Sequence, residues 1–151
     1  MQTSFTDKQL LDKDNKSSES ILRKCVHCGM CNATCPTFCV NGEELEGPRG
    51  RIYLIKDMLE NKKPASKKVV KHIDSCLSCY SCMTTCPSGV NYMHLIDHGR
   101  NYVEETYKRP FFDRLFRNVL SFVLPRPKVF LALAYLSKLI KPFSFLLPTF
   151  L

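Results

Sequence analysis

The stretch Cys25–Pro36, CVHCGMCNATCP, places four cysteines within eleven residues and ends on a proline. A second stretch, Cys76–Pro87, CLSCYSCMTTCP, repeats this spacing, so that both read C-x2-C-x2-C-x3-C-P. Each proline lacks an N–H group and has a fixed φ, which ends the loop at a defined point. Two copies of one spacing in a chain of 151 residues predict two equivalent sites.

The rest of the composition favours metal ligation over disulfides. The chain has nine cysteines, an odd number, and its first twenty residues contain no apolar run of the kind found in secretory signals. We therefore expect a reducing, cytoplasmic compartment, in which clustered cysteines are metal ligands more often than bridges. A structural zinc site takes its ligands as two separated pairs, whereas this spacing is the ligand run of [4Fe–4S] clusters. The sequence predicts two such clusters, and a non-catalytic zinc-binding interaction module is the alternative.

The fourth cysteine of each run is predicted to ligate the other cluster, as in two-cluster ferredoxins. The predicted ligands are Cys25, Cys28, Cys31 and Cys86 for the first cluster, and Cys76, Cys79, Cys82 and Cys35 for the second. Cys39 is predicted to be a small buried apolar side chain near a cluster, with a further ligand or a redox-sensing thiol as the alternative. His94 and His98 lie four residues apart without a third ligand nearby in the sequence, and are predicted to face solvent.

Three more residues are candidates for contacts that tune a cluster or bind a partner. His27 lies inside the first loop, where its ring could shield the cluster or donate a hydrogen bond to sulfur. Arg49 and Arg51 lie at the predicted start of a helix, where cations oppose the helix macrodipole. A nearby anionic cluster or partner acid would account for them, and an exposed, solvated pair is an equally open alternative.

The formal net charge of +8 does not by itself indicate nucleic-acid binding. This count treats every cysteine as neutral, whereas deprotonated thiolates holding two clusters would bring about two negative charges per site. Residues 108–151 contain eight Lys and Arg side chains and one acid, Asp113, interleaved with aliphatic runs. That pattern suits a protein or lipid surface better than a phosphate groove, so we expect no nucleic-acid partner.

Three regions are predicted along the chain: a loosely held polar N-terminal arm at 1–20, a 2×[4Fe–4S] ferredoxin-type domain at 21–107 and a basic apolar helical segment at 108–151. Thr6 and Gln9 form a capping-box pattern, and Ser17 or Ser18 is expected to cap a second helix. Further helices are predicted at 51–61, 66–75 and 92–107. The residues expected along one side are Ile52, Ile55, Met58 and Leu59 in the first of these helices, and Met93, Ile96, Arg100, Val103 and Tyr107 in the last. No stretch alternates with period two for long enough to indicate a strand, so the predicted fold is all-α.

The segment 108–151 is rich in Phe and Leu and is interrupted by five prolines. Uncharged runs such as Val129–Ser137 are far shorter than the ~20 residues that a spanning helix needs, so no transmembrane helix is predicted. We expect an interface that packs against the remainder of a longer subunit, with an anionic membrane surface as the alternative. The sequence ends on an apolar run, which we expect of a chain cut partway through a larger protein.

Three stretches carry a family resemblance. ILRKCVHCGMCNATCPTF, GEELEGPRGRIYLIKDMLE and CLSCYSCMTTCPSGVNYMHLIDHGR together resemble the N-terminal part of the glycolate oxidase iron-sulfur subunit. The cysteine motifs alone are shared with many relatives, including succinate dehydrogenase iron-sulfur subunits and heterodisulfide-reductase-like proteins. The segment GPRGRIYLIK narrows the resemblance to the glycolate oxidase family.

This resemblance implies an α-helical ferredoxin domain with two [4Fe–4S] clusters, followed by apolar helices of a truncated C-terminal region. In the family, separate flavin subunits oxidise glycolate to glyoxylate, and the iron-sulfur subunit passes the electrons to a membrane-linked acceptor. The implied partners are therefore flavin-containing oxidase subunits and a quinone-linked acceptor at the inner face of the membrane. Two further cysteine-rich repeats of the family's full subunit are absent here.

No substrate-oxidising residues are expected in the chain itself. It has no Gly-rich dinucleotide fingerprint and no nucleophile paired with a base. We therefore expect an electron-transfer subunit of an oxidoreductase complex. Related complexes that oxidise lactate or glycerol-3-phosphate, or that act on a heterodisulfide, are the alternatives.

Overall fold

The protein is built from helices. A computed structural model of the chain describes the backbone of residues 1–140 and the side chains of residues 1–136. The helices are α1 Asp7–Leu10, α2 Lys13–Lys24, α3 Pro36–Asn41, α4 Pro48–Asn61, α5 Lys67–Asp74, α6 Ser81–Thr84, α7 Tyr92–Thr106, α8 Phe111–Val123 and α9 Pro127–Ile140. Short 3-10 turns cover Met30–Asn32 and Glu44–Glu46. Residues 1–140 contain no strand, which confirms the all-α prediction.

The chain divides into two units, Met1–Lys108 and Arg109–Leu151. In the first unit α2, α4, α5 and α7 pack on one another around a single hydrophobic core. Its most buried apolar side chains have no measurable exposure: Leu22, Ile55, Ile73, Leu95 and Ile96. The burial of each such side chain contributes roughly 1.5–3 kcal/mol to the free energy of unfolding, relative to an exposed side chain. This core fixes the helices that precede and follow the cysteine loops.

Helices α4 and α7 meet at a glycine. A Cβ on Gly99 would lie 2.8 Å from the side chain of Ile55, so only glycine allows this approach without a shift. The buried face of α4 is the one predicted from its spacing, with Ile52, Ile55 and Met58 in the core. On α7 the predicted face is displaced: Met93 is exposed, whereas Tyr92 and Leu95 are buried together with Ile96 and Val103.

The N-terminal residues pack on the first unit, which differs from the loosely held arm expected from their polar sequence. Gln9 accepts a hydrogen bond from the Thr6 N–H group at 2.8 Å, as the capping pattern predicts. The Gln9 amide also donates to the Leu59 carbonyl at 2.8 Å, and the side chain is buried. Helix α2 begins at Lys13 with Asp12 as its N-cap, earlier than a cap at Ser17 or Ser18 would allow.

Helices α2 and α7 are joined by a polar contact. Ser18 is fully buried, and its hydroxyl lies 2.7 Å from Nδ1 of His98. Burial lowers the pKa of His98, and the neighbouring His94 adds to that lowering, while Asp14, Asp12 and Glu105 oppose it. The side chain of His98 is half-buried. The prediction that it faces solvent is therefore wrong.

The second unit contains α8 and α9 within its described part, and all of the described large apolar side chains there except Val123 and Val129 are exposed. Exposed members on α8 include Phe111, Phe112 and Phe116. Among the described residues no single helix has both the length and the apolar character to cross a membrane. The pair Phe111–Val123 and Pro127–Leu136, bent by 111°, passes that test only when its two helices are taken together.

Candidate metal centre

The two cysteine loops follow the core helices in the same way. Cys25 comes directly after α2, and Cys76 follows one residue after α5 has ended. Within each loop the backbone takes a positive φ at the residue before the second cysteine and again at the residue after it. These residues are His27 (φ 59°) and Gly29 (φ 83°) in the first loop, and Ser78 (φ 51°) and Tyr80 (φ 56°) in the second.

This repeated turn explains how a short loop can surround an anionic group. Turns that combine right- and left-handed residues direct successive N–H groups into a concavity that binds anions, as at many iron–sulfur sites. A short helical turn then brings in the third cysteine of each motif, in Met30–Asn32 and in Ser81–Thr84. The fourth cysteine precedes proline, and Pro36 starts α3 as its first residue.

The first group of thiols surrounds one cavity. Cys25, Cys28, Cys31 and Cys86 line it, so residues of both motifs meet there. Cys82 also reaches this cavity from the side of the second motif. The cavity encloses about 440 Å³ of empty space, counting the part open to solvent. Thiols of both motifs thus face one common space, in which a metal centre could be held.

The second group surrounds a separate cavity of about 300 Å³ on the same measure. Its cysteines are Cys35, Cys76, Cys79 and Cys82. Cys35 therefore lies with the second motif although it belongs to the first, and Cys86 lies with the first motif. Each cavity contains three cysteines of one motif and the fourth cysteine of the other, and Cys82 lines both cavities.

The thiols are free and crowd one another electrostatically. Burial, followed by the charges of Cys25, Cys86 and Cys28, raises the pKa of the Cys31 thiol to about 11. Burial, with Cys31, Cys76, Cys35 and Cys79 nearby, raises the pKa of Cys82 to about 12. Because of these raised pKa values, such thiols stay protonated at neutral pH unless a cationic group compensates the charge of the thiolate. Metal ligation requires the thiolate, and a metal ion supplies that positive charge. The donor set therefore fits a metal centre in each cavity.

Arg51 is the buried cation of the second cavity and one of its lining residues. Its side chain is 1% exposed, and it forms an ion pair at 2.9 Å with Glu46, which is 4% exposed. One guanidinium nitrogen lies 3.9 Å from Sγ of Cys35. Of the two alternatives left open by the sequence, a solvated side chain is excluded for Arg51, and its partner acid is Glu46.

Arg49 lies at the first cavity and is partly exposed, with 33% of its side chain open to water. It pairs with Glu44, whose carboxylate also accepts from the Asn32 amide at 3.2 Å. The Arg49 backbone N–H group donates to the side-chain Oδ1 atom of Asn32 at 3.4 Å, which ties the start of α4 to the first loop. A Cβ on Gly29 would meet the Arg49 guanidinium at 2.6 Å, so the first loop and this side chain are in close contact.

His27 also lines the first cavity. Its ring is tilted against Tyr53, with 6.1 Å between ring centroids. Its Nδ1 atom is buried without a hydrogen-bond partner among the described atoms. Burial and the charge of Arg49 lower the pKa of His27, so its neutral form is favoured. The ring thus lines the cavity, and its shielding of a cluster stays a prediction; the contacts of the described residues include no hydrogen bond from it to sulfur.

Cys39 takes no part in either cavity described here. Its side chain is exposed, and its thiol lies 3.4 Å from the Ala33 carbonyl, to which it donates. The prediction of a buried apolar side chain is therefore wrong, because α3 turns this residue outward.

Sequence reasoning missed two residues that hold the second loop. The Tyr92 hydroxyl donates to Sγ of Cys76 at 3.8 Å. Burial, followed by the charge of Cys76, raises the pKa of Tyr92 well above its ordinary value, so the phenol remains a donor. Arg100 donates to the Cys76 carbonyl and to the Ser78 hydroxyl, both at 2.6 Å. Both residues lie on α7, and no local signal relates that helix to a loop sixteen or more residues earlier.

The residues Glu43, Glu46 and His72 also lie close enough together to hold a metal ion. The Glu46 carboxylate, however, already accepts from Arg51 at 2.9 Å and lies 2.8 Å from Nδ1 of His72. A further hydrogen bond to it comes from the Ser75 hydroxyl. These contacts describe a satisfied buried network beside the second cavity.

Comparison with known proteins identifies the family of the site. Residues 21–90 match the model of the 4Fe-4S dicluster domain. Over 143 residues the chain is 50% identical to the glycolate oxidase iron-sulfur subunit of Escherichia coli K12, a match that covers 95% of this chain and 35% of that protein. The chain is a homologue of the glycolate oxidase iron-sulfur subunit. This finding confirms the predicted family resemblance, and the dicluster domain binds two [4Fe–4S] clusters.

Two other relatives show how widely the motif is shared. The probable glycolate oxidase iron-sulfur subunit of Bacillus subtilis 168 is 32% identical over 117 residues, covering 74% of this chain and 26% of that protein. The mitochondrial succinate dehydrogenase iron-sulfur subunit of Candida glabrata is 27% identical over 84 residues, covering 52% and 33%. The chain thus spans about a third or less of these relatives' lengths. No solved structure matches it.

Proposed function

We propose that the chain is the electron-relay part of a glycolate oxidase (glycolate dehydrogenase) complex. Electrons enter from a flavin-containing subunit, pass through the two sites of the dicluster domain and leave toward a membrane-linked acceptor. The observation that carries this proposal is the 50% identity to a glycolate oxidase iron-sulfur subunit over 95% of the chain. A bound [4Fe–4S] cluster accepts and releases one electron at a time, with a potential set by its surroundings.

The ligand assignment that we propose is crossed. The first cluster is held by Cys25, Cys28, Cys31 and Cys86, and the second by Cys76, Cys79, Cys82 and Cys35. Support comes from the two cavities, each of which contains three cysteines of one motif and the fourth of the other, while Cys82 lines both. In this arrangement each motif contributes to both sites, so neither site can form unless both loops are folded against α4 and α7.

The residues around the sites position the ligands and keep water out. Leu22 and Ile52 belong to the core beside the first loop, and Tyr92 lines both cavities. By contrast Cys28 and Cys79, the second cysteine of each motif, are exposed. We propose that electrons enter and leave at these exposed edges, because the opposite sides of both sites are closed by the core.

We propose that the second unit is an interface that is covered by another part of the whole subunit. Its support is the exposed apolar surface of α8, where the side chains of Phe111 and Phe112 are 72% and 81% exposed. Apolar patches of this kind mark interaction sites in soluble proteins. The repeated prolines interrupt the long amphipathic face that interfacial helices use, which favours packing against protein over lying on lipid.

The deciding experiment is co-purification of the full-length protein with its flavin subunits, followed by assays with glycolate and with lactate. We expect reduction of an artificial acceptor with glycolate, and loss of that activity when the iron-sulfur subunit is omitted. Activity with lactate alone would reassign the substrate to a related complex. Metal analysis after anaerobic purification is the control, since zinc in place of iron would leave a colourless protein with no relay function.

A further inference from the structure

The guanidinium group of Arg51 is fixed from several sides. Its Nε atom donates to the His72 carbonyl at 2.6 Å. One terminal nitrogen donates to Glu46 at 2.9 Å, to the Ser75 hydroxyl at 3.0 Å and to the Thr37 hydroxyl at 3.1 Å. These partners come from the Glu44–Glu46 turn, from α3 and from the end of α5, so three separate segments hold one side chain.

The remaining terminal nitrogen of Arg51 is directed at a cysteine. It lies 3.9 Å from Sγ of Cys35, which is 7% exposed. The Thr37 hydroxyl lies 3.2 Å from the same sulfur and donates to the Glu46 carbonyl at 2.7 Å. In such a dry site hydrogen bonds and charges act more strongly than in water.

The first site has no matching arrangement among the contacts recorded for the described residues. Arg49, its nearest arginine, is partly exposed and pairs with Glu44, which is 44% exposed. Solvent screens a partly exposed charge more than a buried one, so Arg49 acts more weakly on the first site than Arg51 acts on the second. The two sites therefore share a ligand pattern and differ in their electrostatic surroundings.

We propose that Arg51 is a positioning residue for Cys35 that raises the reduction potential of the second site, with Glu46 as its counter-charge. Reduction adds one electron, and hence one negative charge, without forming or breaking a bond. A cation and a donor beside a ligand sulfur stabilise the reduced form more than the oxidised form, since hydrogen bonds to sulfur and local charge set cluster potentials. Glu46 opposes this effect through its own negative charge.

The contacts of Glu46 support this assignment. Its carboxylate lies 2.9 Å from the Arg51 guanidinium and 2.8 Å from Nδ1 of His72, and it also accepts a hydrogen bond from the Ser75 hydroxyl. Arg51 and Glu46 thus form an ion pair in the interior, with side chains that are 1% and 4% exposed. A buried ion pair is no more stabilising than well-packed apolar residues of similar volume, so stability alone does not account for this choice. This inference rests on the proposed relay of electrons through the second site.

The test uses the cluster-loaded 151-residue chain and two substitutions that change charge in opposite directions. Arg51→Gln removes the cation, and Glu46→Gln removes the counter-charge while keeping a side chain of the same shape. Arg49→Gln is the matched control at the first site. Anaerobic redox titration followed by electron paramagnetic resonance gives the midpoint of each cluster, and Cys28→Ser and Cys79→Ser identify which signal belongs to which site. Iron content and apo-protein melting are measured in parallel.

We expect Arg51→Gln to lower the equilibrium constant for reduction of the second cluster at least tenfold, a shift of about 59 mV to a more negative potential. Glu46→Gln should shift the same midpoint in the positive direction, and Arg49→Gln should leave it unchanged. If the pair is purely structural, the midpoint of the second cluster will be unchanged in both variants, or will shift in the same direction in both. Either result would overturn the proposal. If Arg51→Gln loses the cluster, the sign of the Glu46→Gln shift decides. Loss of the second cluster in both variants would also overturn it.

These readouts involve no glycolate and no flavin subunit. A failure of the predicted potential shifts would leave the glycolate assignment standing. A protein inactive with glycolate could still show both shifts.

Discussion

Gly50 is a position at which the addition of a single methyl group should strongly destabilise the fold. It is buried in the first turn of α4, and a Cβ there would lie 2.2 Å from the Glu44 carbonyl oxygen and 2.8 Å from the Leu45 Cα atom. Ordinary contact begins near 3.4 Å. Gly50→Ala therefore requires the Glu44–Glu46 turn to move by more than 1 Å, and the obstacle is backbone rather than a flexible side chain.

The cost can be estimated from comparable changes. Overpacking a well-packed interior costs typically ~1–3 kcal/mol and occasionally more, while replacing a helical glycine by alanine returns up to about 1 kcal/mol. Because the obstacle is backbone, we take the upper end and expect a net loss of about 2–3 kcal/mol. For a unit of this size that corresponds to a fall in Tm of roughly 10–20 °C. The displaced turn carries Glu46, which pairs with Arg51 at the second site, and Glu44, which pairs with Arg49 at the first, so both sites should be affected.

The assay is anaerobic thermal melting of the loaded protein, with iron content and electron paramagnetic resonance of each cluster. Gly42→Ala is the control, because a Cβ at Gly42 meets nothing within 4 Å and its only cost is the positive φ of 67°. That strain amounts to roughly 1–2 kcal/mol. If Gly50→Ala melts within a few degrees of the unmodified protein with both clusters intact, the close approach of α4 to the Glu44–Glu46 turn is not rigid and the reasoning fails.

Three further predictions follow from the same structure. Cys35→Ser should remove or alter the second cluster and spare the first, whereas Cys39→Ser should leave both in place; electron paramagnetic resonance distinguishes them, and loss of the first cluster in Cys35→Ser would refute the crossed ligation. A chain ending at Tyr107 should keep both clusters and associate less than the 151-residue chain, as measured by iron content and light scattering; loss of its clusters would assign the second unit to the core. Burial holds the pKa of His98 below its ordinary value of 6.5, so the unfolded state binds more protons below that pH and stability should fall as the solution is acidified below 6.5. Apo-protein melting of His98→Gln should show a smaller fall than the unmodified chain, and an equal fall in both would assign the pH dependence to other groups.

Part of the site could be predicted because its signal is local. The spacing within Cys25–Pro36 fixes how far apart successive thiols can be, and the repeat at Cys76–Pro87 makes a chance match improbable. Helical periodicity likewise identified the buried face of α4. On α7 it failed by about one position, because exposed Met93 is as apolar as its buried neighbours and the packing partner decides which side turns inward.

The sequence by itself determined the all-α class, the two four-cysteine motifs and the family to which they belong. Tertiary structure decided which thiols share a cavity, and it made Arg51 a buried cation aimed at Cys35 while leaving Arg49 partly exposed. These two arginines are two positions apart in one stretch and are chemically identical, so no local pattern separates them. The difference arises because Arg51 meets Glu46, His72 and Ser75 across up to 24 residues of chain. Spacing acts through covalent geometry, whereas burial and charge pairing depend on which segments the folded core brings together.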